Sequence, residues 1–195
     1  MCPAGYYCPV GSTSGFQNVC GSAGVYCPAG SAAPTTSPSG YFTSGGGSTA
    51  RSAIEPCSEG HWCTDGVQHL CPAGRYGAST GLASANCSGV CRAGFVCEPG
   101  STSPEPVACG SAAVYCPAGA TSPVVVQAGF YSIGGSDDGS ARTMELACPL
   151  GSYCVDGVRY PCAAGRFGDV KGNADPDCSG QCLYVTRLLR KGAPQ

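Results

Sequence analysis

The sequence predicts a small disulfide-rich fold, an elongated run of tandem modules built from short β-hairpins and turns with almost no helix. Three observations predict it. Seventeen of the 195 residues are Cys, Gly (31) and Pro (16) interrupt almost every window long enough for a helix, and Leu, Ile, Val and Phe together number only 29. So few large apolar side chains cannot offset chain entropy through an ordinary core. A formal charge of only −2 opposes the disorder that such a composition otherwise suggests. A compact enzyme domain is excluded by the same shortage of apolar surface, and a helical bundle by the Gly and Pro. Ten basic against twelve acidic residues leave no basic face for nucleic acid. No run of about 18 apolar residues spans a membrane.

Internal repetition sets the organisation. The cysteines fall at 2, 8, 20, 27, 57, 63, 71 and 87, then at 91, 97, 109, 116, 148, 154, 162 and 178, and last at 182. The second eight follow the first by 89 residues four times and then by 91 four times, so one two-residue length difference lies between Cys27–Cys57 and Cys116–Cys148. Other residues keep the register: CGSAGVYCPAG (20–30) answers to CGSAAVYCPAG (109–119), and CTDGVQHLCPAGRYG (63–77) to CVDGVRYPCAAGRFG (154–168). Residues 1–90 are therefore one repeat unit and 91–181 a second, with Cys182 opening a truncated third unit or tail, 182–195.

Each unit divides into two four-cysteine modules, 2–27 and 57–87 in the first and 91–116 and 148–178 in the second. Every module opens Cys-x5-Cys, with Gly three residues after the first Cys and Tyr7, Trp62, Val96 or Tyr153 just before the second. Gly5, Gly60, Gly94 and Gly151 suit a turn of positive φ. Val25-Tyr26 and Val114-Tyr115 predict strands of two or three residues. The Ser/Thr/Gly-rich segments 28–56 and 117–147 read as linkers, each carrying a short strand around Tyr41-Phe42 or Phe130-Tyr131.

Oxidised, sixteen cysteines form eight bridges, and closing a loop of about 15 residues is worth roughly 3 kcal/mol in the chain-entropy model. Cross-links are expected to replace a core, which places the chain in an oxidising compartment, extracellular or at the cell surface. Spacing leaves the connectivity open. First-to-third and second-to-fourth pairing within each module is the working assignment: Cys2–Cys20, Cys8–Cys27, Cys57–Cys71, Cys63–Cys87, Cys91–Cys109, Cys97–Cys116, Cys148–Cys162 and Cys154–Cys178. Cys182 is left unpaired.

The recurring Cys-Pro-x-Gly-x-Tyr element, seen as CPAGYYC (2–8), YCPAG (26–30 and 115–119), CPAGRYG (71–77) and CPLGSYC (148–154), resembles the ephrin-receptor-like cysteine-rich repeat of the growth-factor-receptor cysteine-rich group. The likeness covers residues 2 to 182, and the long unit is similar to tandem arrays in very large surface proteins of unicellular eukaryotes. The resemblance implies an extracellular, non-catalytic module on receptors, adhesins or matrix proteins, and carries over no ligand site. The departure lies after Cys182, where the family's Gly and second Cys give way to LYVTRLLRKGAPQ. Met1 occupies the slot of Val90 and Gln181 before a unit's first Cys, and no secretory leader precedes it, so the chain reads as an interior piece of a longer secreted or membrane-anchored protein. Arg187, Arg190 and Lys191 crowd the tail, which reads as a short disordered terminus in preference to a membrane-surface or partner helix.

Candidate chemistry is weighed against the repeat. Zinc would need His61 or His69, whose counterparts are Ser152 and Tyr160, so structural disulfides are the expected use of sulfur and no metal or other cofactor is assigned. A thiol–imidazole pair at His61 with Cys57 or Cys63 fails because a bridged sulfur is no nucleophile. Asp137-Asp138-Gly139 and DVKGNADPD (169–177) gather oxygen ligands without an EF-hand pattern, and the first unit has Ala78, Leu82, Ser84 and Asn86 where the second has Asp169, Asn173, Asp175 and Asp177. Solvated turns are expected there. Asp65 and Asp156, each followed by Gly-Val, read as turn residues whose side chains bond nearby amides. Asn86-Cys87-Ser88 is an N-glycosylation sequon, and TTSPS (35–39) and STSP (101–104) are O-glycan candidates on exposed linker. Trp62, Tyr76, Tyr153 and Phe167 are expected to pack over a bridge or a neighbouring module, with exposed interface anchors as the alternative.

The function these readings imply is non-catalytic: an extracellular cysteine-rich segment of a larger surface or secreted protein, serving as spacer, adhesion element or receptor ectodomain. Its partner is expected to be a protein or glycan, not nucleic acid. A self-contained secreted ligand or inhibitor is the alternative, and a cytosolic metal-thiolate protein a lesser one.

Overall fold

The computed structural model describes residues 1–135 and 139–183. Among them there is no helix; the chain is a series of ten two-stranded antiparallel sheets. In the first unit β1 (Tyr6–Tyr7) pairs with β2 (Asn18–Val19), β3 (Val25–Tyr26) with β4 (Thr35–Thr36), β5 (Tyr41–Ser44) with β6 (Ala53–Pro56), β7 (His61–Thr64) with β8 (Val67–Leu70), and β9 (Arg75–Tyr76) with β10 (Gly89–Val90). The second unit repeats the series with β11 (Phe95–Val96) and β12 (Val107–Ala108), β13 (Val114–Tyr115) and β14 (Val124–Val125), and β15 (Phe130–Ile133) and β16 (Met144–Ala147). It closes with β17 (Ser152–Val155) and β18 (Val158–Pro161), then β19 (Arg166–Phe167) and β20 (Gly180–Gln181). The two-residue length difference sits in one hairpin loop, 45–52 between β5 and β6 against 134–143 between β15 and β16.

The bridges depart from the working assignment. None of Cys2–Cys20, Cys8–Cys27, Cys57–Cys71, Cys63–Cys87, Cys91–Cys109, Cys97–Cys116, Cys148–Cys162 or Cys154–Cys178 forms. Each module pairs first-to-second and third-to-fourth: Cys2–Cys8, Cys20–Cys27, Cys57–Cys63, Cys71–Cys87, Cys91–Cys97, Cys109–Cys116, Cys148–Cys154 and Cys162–Cys178. The physical reason is the turn between the paired residues. In 2–8 the Tyr6 amide donates to the Pro3 carbonyl at 3.2 Å, and the chain doubles back enough to set the Cys2 and Cys8 Cα atoms 5.9 Å apart. That separation lies within ordinary bridging range. Cys182 is free and exposed.

Cys71 and Cys162 are the exception that explains the long loops. Their partners six residues on would be Gly77 and Gly168, where a Cβ would sit 2.8 Å from Cys71 Sγ and 2.9 Å from Cys162 Sγ. Each sulfur occupies the place of the absent side chain and bonds to Cys87 or Cys178, sixteen residues on.

The segments expected to be linkers, 28–56 and 117–147, are folded as continuations of the same pattern. SPSGYFT (37–43) and VQAGFYS (126–132) repeat the turn of CPAGYYC with no cysteine at either end. Ser37, Thr43, Val126 and Ser132 fill the cysteine slots and are all buried. Each unit therefore holds five copies of one turn motif, opening at Cys2, Cys20, Ser37, Cys57 and Cys71, then at Cys91, Cys109, Val126, Cys148 and Cys162.

Backbone bonds join each copy to the next. The N–H of the opening residue donates to the carbonyl of the previous copy's turn residue: Cys20 to Gly5, Ser37 to Gly24, Cys57 to Gly40, Cys71 to Gly60, Cys91 to Gly74, Cys109 to Gly94, Val126 to Ala113, Cys148 to Gly129, Cys162 to Gly151 and Cys182 to Gly165, all at 2.8–2.9 Å. Copies two apart also touch. Gly60 has φ +73°, and a Cβ there would lie 2.3 Å from the Gly100 carbonyl, so the turn needs both the left-handed backbone and the missing side chain. The interior is sulfur: the largest fully buried side chains are Cys27, Cys57, Cys63, Cys71, Cys91, Cys97, Cys116, Cys148 and Cys154.

Candidate functional site

The element that recurs with exposed side chains, and so the candidate site, is the hairpin beside each bridge and the face it shows to solvent. The β7–β8 hairpin and its counterpart β17–β18 show it best. Their two-residue turns, Asp65-Gly66 and Asp156-Gly157, have positive φ at both positions (49° and 71°, 51° and 74°), the backbone of a tight hairpin turn with the right twist. Here the expected role of the aspartates changes. The bond formed by the Asp65 carboxylate is one accepted from the Thr64 hydroxyl at 3.5 Å, so what Asp contributes is tolerance of a left-handed backbone. Gly66 and Gly157 in turn accept the N–H groups of Thr43 and Ser132 at 3.0 Å, and this docks the hairpin on the cysteine-free motif.

On the outer face of these hairpins lies a pair of stacked rings. Trp62 and His69 are cross-strand partners with centroids 4.7 Å apart and planes 27° off parallel. Tyr153 and Tyr160 are their equivalents, at 5.4 Å and 22°. Tyr76 and Phe167 instead lie over their cross-strand glycines, Gly89 and Gly180, with ring carbons 3.4 and 3.2 Å from where a Cβ would be. All four aromatics thus pack on a cross-strand partner in their own pair of strands. Phe167 (42%) and Tyr160 (43%) remain exposed. Such offset stacks add about 0.5–1.5 kcal/mol beyond the area they bury.

A notch in the second unit is lined by Ala112, Tyr131, Arg142, Gly157 and Arg159. The Arg159 guanidinium lies 5.6 Å from the Tyr131 ring centroid, and the buried Nε of Arg142 makes no hydrogen bond. In the first unit Ala23, Arg51 and Gly66 keep the positions of Ala112, Arg142 and Gly157, whereas Phe42 and Gln68 replace Tyr131 and Arg159, so the cation beside the ring belongs to the second unit.

The other candidates separate. His61 lies in β7, with Nδ1 3.0 Å from the Glu59 carbonyl, and His69 in β8, so neither histidine sits in a loop. Among the described residues no group of three His, Cys, Asp or Glu could hold a metal ion. Asp137 and Asp138 lie outside the described residues, as do Arg187, Arg190 and Lys191. In 169–177 the side chains bond locally: Asn173 Oδ1 accepts from the Asp175 amide at 2.9 Å, Asp175 Oδ1 accepts from the Asp177 amide at 2.8 Å, and the Asp177 carboxylate pairs with Arg166 at 2.9 Å. In the first unit Arg75 donates to the Asn86 carbonyl at 2.8 Å. Asn86 is exposed, and Ser88 Oγ accepts the Ala78 amide at 2.9 Å. Thr35, Ser39, Thr102 and Ser103 are exposed, whereas Ser37 is buried and donates to the Tyr41 carbonyl at 3.3 Å, which removes it from the O-glycan candidates.

Sequence reasoning missed Ser37, Thr43, Val126 and Ser132. The signal that finds them is the Gly and following aromatic pair, Gly40-Tyr41-Phe42 and Gly129-Phe130-Tyr131, which keep the motif where the cysteines do not. Neither protein-family models nor curated proteins give a match to this chain. No helix among the described residues is long and apolar enough to cross a membrane.

Proposed function

We propose that the chain is a non-catalytic extracellular segment of a larger surface or secreted protein, acting as a spacer that holds a partner-binding region at a distance. One observation carries the reading. Eight bridges, with twelve of their sixteen cysteines buried, stand where a domain of this length ordinarily has apolar side chains, and such bridges are characteristic of an oxidising compartment. The backbone ladder supports a spacer over a compact ligand. Among the described residues, backbone bonds between motifs join residues no more than 30 positions apart, so each copy is bonded to its immediate neighbours and otherwise touches only the copy two along. The resemblance to ephrin-receptor-like repeats agrees with a receptor, adhesin or matrix setting. Stacked rings in both units offer adhesive contact on the outer face.

The test is secretion behind a signal peptide, recovery without added thiol, and intact mass before and after reduction. A gain of about sixteen hydrogens, two for each bridge, is expected, together with one titratable thiol at Cys182. Seventeen free thiols in folded protein would overturn the extracellular reading.

A further inference from the structure

We infer that the array is an extensible tether, which yields under tension first at the cysteine-free motif of each unit and stays clamped at every other turn. This rests on the spacer reading and specifies its mechanics. The inference comes from where the bridges are not. In the first unit they join residues only 6, 7, 6 and 16 positions apart. No bridge joins one motif to the next, so pulling the ends never loads a sulfur–sulfur bond against the separation of two motifs. What resists is the ladder of backbone bonds between copies.

The bridge-free runs are unequal. Cys27 to Cys57 and Cys116 to Cys148 span 30 and 32 residues, the longest in the chain. Each contains the cysteine-free motif and the hairpin that follows it, β5–β6 or β15–β16. The two strands of each hairpin are antiparallel, with Tyr41 opposite Pro56 and Phe130 opposite Ala147 at the open end. Tension arriving through Cys27 and Cys57 therefore pulls the open end apart, and the pairs break one at a time. Where the other motifs carry a bridge, these have a hydroxyl at the second cysteine slot, Thr43 or Ser132. Thr43 Oγ1 donates to the Ala23 carbonyl at 2.7 Å, and Ser132 Oγ to the Ala112 carbonyl at 2.6 Å. A hydrogen bond of this kind, unlike a disulfide, can break and re-form within each cycle of load. Each run fully extended reaches roughly 100–110 Å.

Force spectroscopy on the full oxidised chain, held by handles at both ends, tests this. Two early low-force events are expected, each lengthening the chain toward but not beyond that reach. Reduction should add about 190 Å to the final contour, from the seventy residue steps the bridges bypass less the span of about 6 Å that each bridge already contributes. Restoring a staple with Ser37→Cys and Thr43→Cys should shorten one early event by roughly 15 Å, six residue steps less the span of the bridge, and leave later events unchanged. Thr43→Val with Ser132→Val should lower the force of both early events without altering their lengths. Shortening confined to a later event, early forces unchanged in the valine variant, or a single all-or-none release would each overturn the inference. None of these would touch the spacer reading, which falls on the mass measurement instead.

Discussion

Gly60 and Gly151 occupy the same slot of the two units, with φ +73° and +72°, yet their surroundings differ. A Cβ on Gly60 would meet the Gly100 carbonyl at 2.3 Å, whereas one on Gly151 meets nothing within 4 Å. The pair therefore separates two costs that usually come together. Alanine at either site must hold a left-handed backbone, about 1–2 kcal/mol. Only at Gly60 must it also push the backbone two motifs away, a further cost of about 1–3 kcal/mol by analogy with overpacked cores. Gly60→Ala should thus lower stability by about 2–5 kcal/mol and Gly151→Ala by about 1–2, read by thermal or denaturant unfolding of the oxidised chain. Equal losses would mean that the contact between alternate motifs contributes nothing.

At the scale of the hairpin, each bridge acts on its own turn. Closing a loop of seven residues is worth about 2 kcal/mol and one of sixteen about 3 kcal/mol in the chain-entropy model. Replacing Cys57 and Cys63 together by Ser should cost about 2 kcal/mol, with faster amide exchange confined to the motifs from Cys20 to Cys91 that the Cys57 motif bonds or touches. Loss of protection reaching the motifs that open at Cys148 and Cys162 would contradict a ladder of near neighbours. Peptide mapping under non-reducing conditions tests the pairing itself, and cleavage between Cys8 and Cys20 should release a fragment that holds Cys2 bonded to Cys8. The repeat, the short strands and the turns at Gly5 and Gly60 were legible in the sequence because they rest on residue types with strong local preferences. The pairing was not, because the same spacings admit either scheme and only the fold of the turn brings Cys2 to Cys8. Nor was the fifth motif, since counting cysteines passes over the places where Ser37, Thr43, Val126 and Ser132 stand in for them. The stacking of Trp62 on His69 depends on the register of β7 with β8, which the two-residue Asp65-Gly66 turn fixes once it is recognised.

For the whole molecule, the consequence of neighbour-only bonding is that size and stability should both grow with the number of motifs. A domain with one shared core loses its fold when half is removed. Here Cys91 bonds to Gly74 through the same amide-to-carbonyl link as every other junction, and the unit boundary carries no special contact. Deleting residues 91–181 should therefore leave the first unit folded with its four bridges. It should roughly halve the maximum dimension measured by solution scattering, since copies add along one direction. A compact arrangement would instead shrink only as the cube root of mass, by about a fifth, following the size scaling of globular domains. The two outcomes differ enough to decide whether the bridges build a rod-like array or a globule.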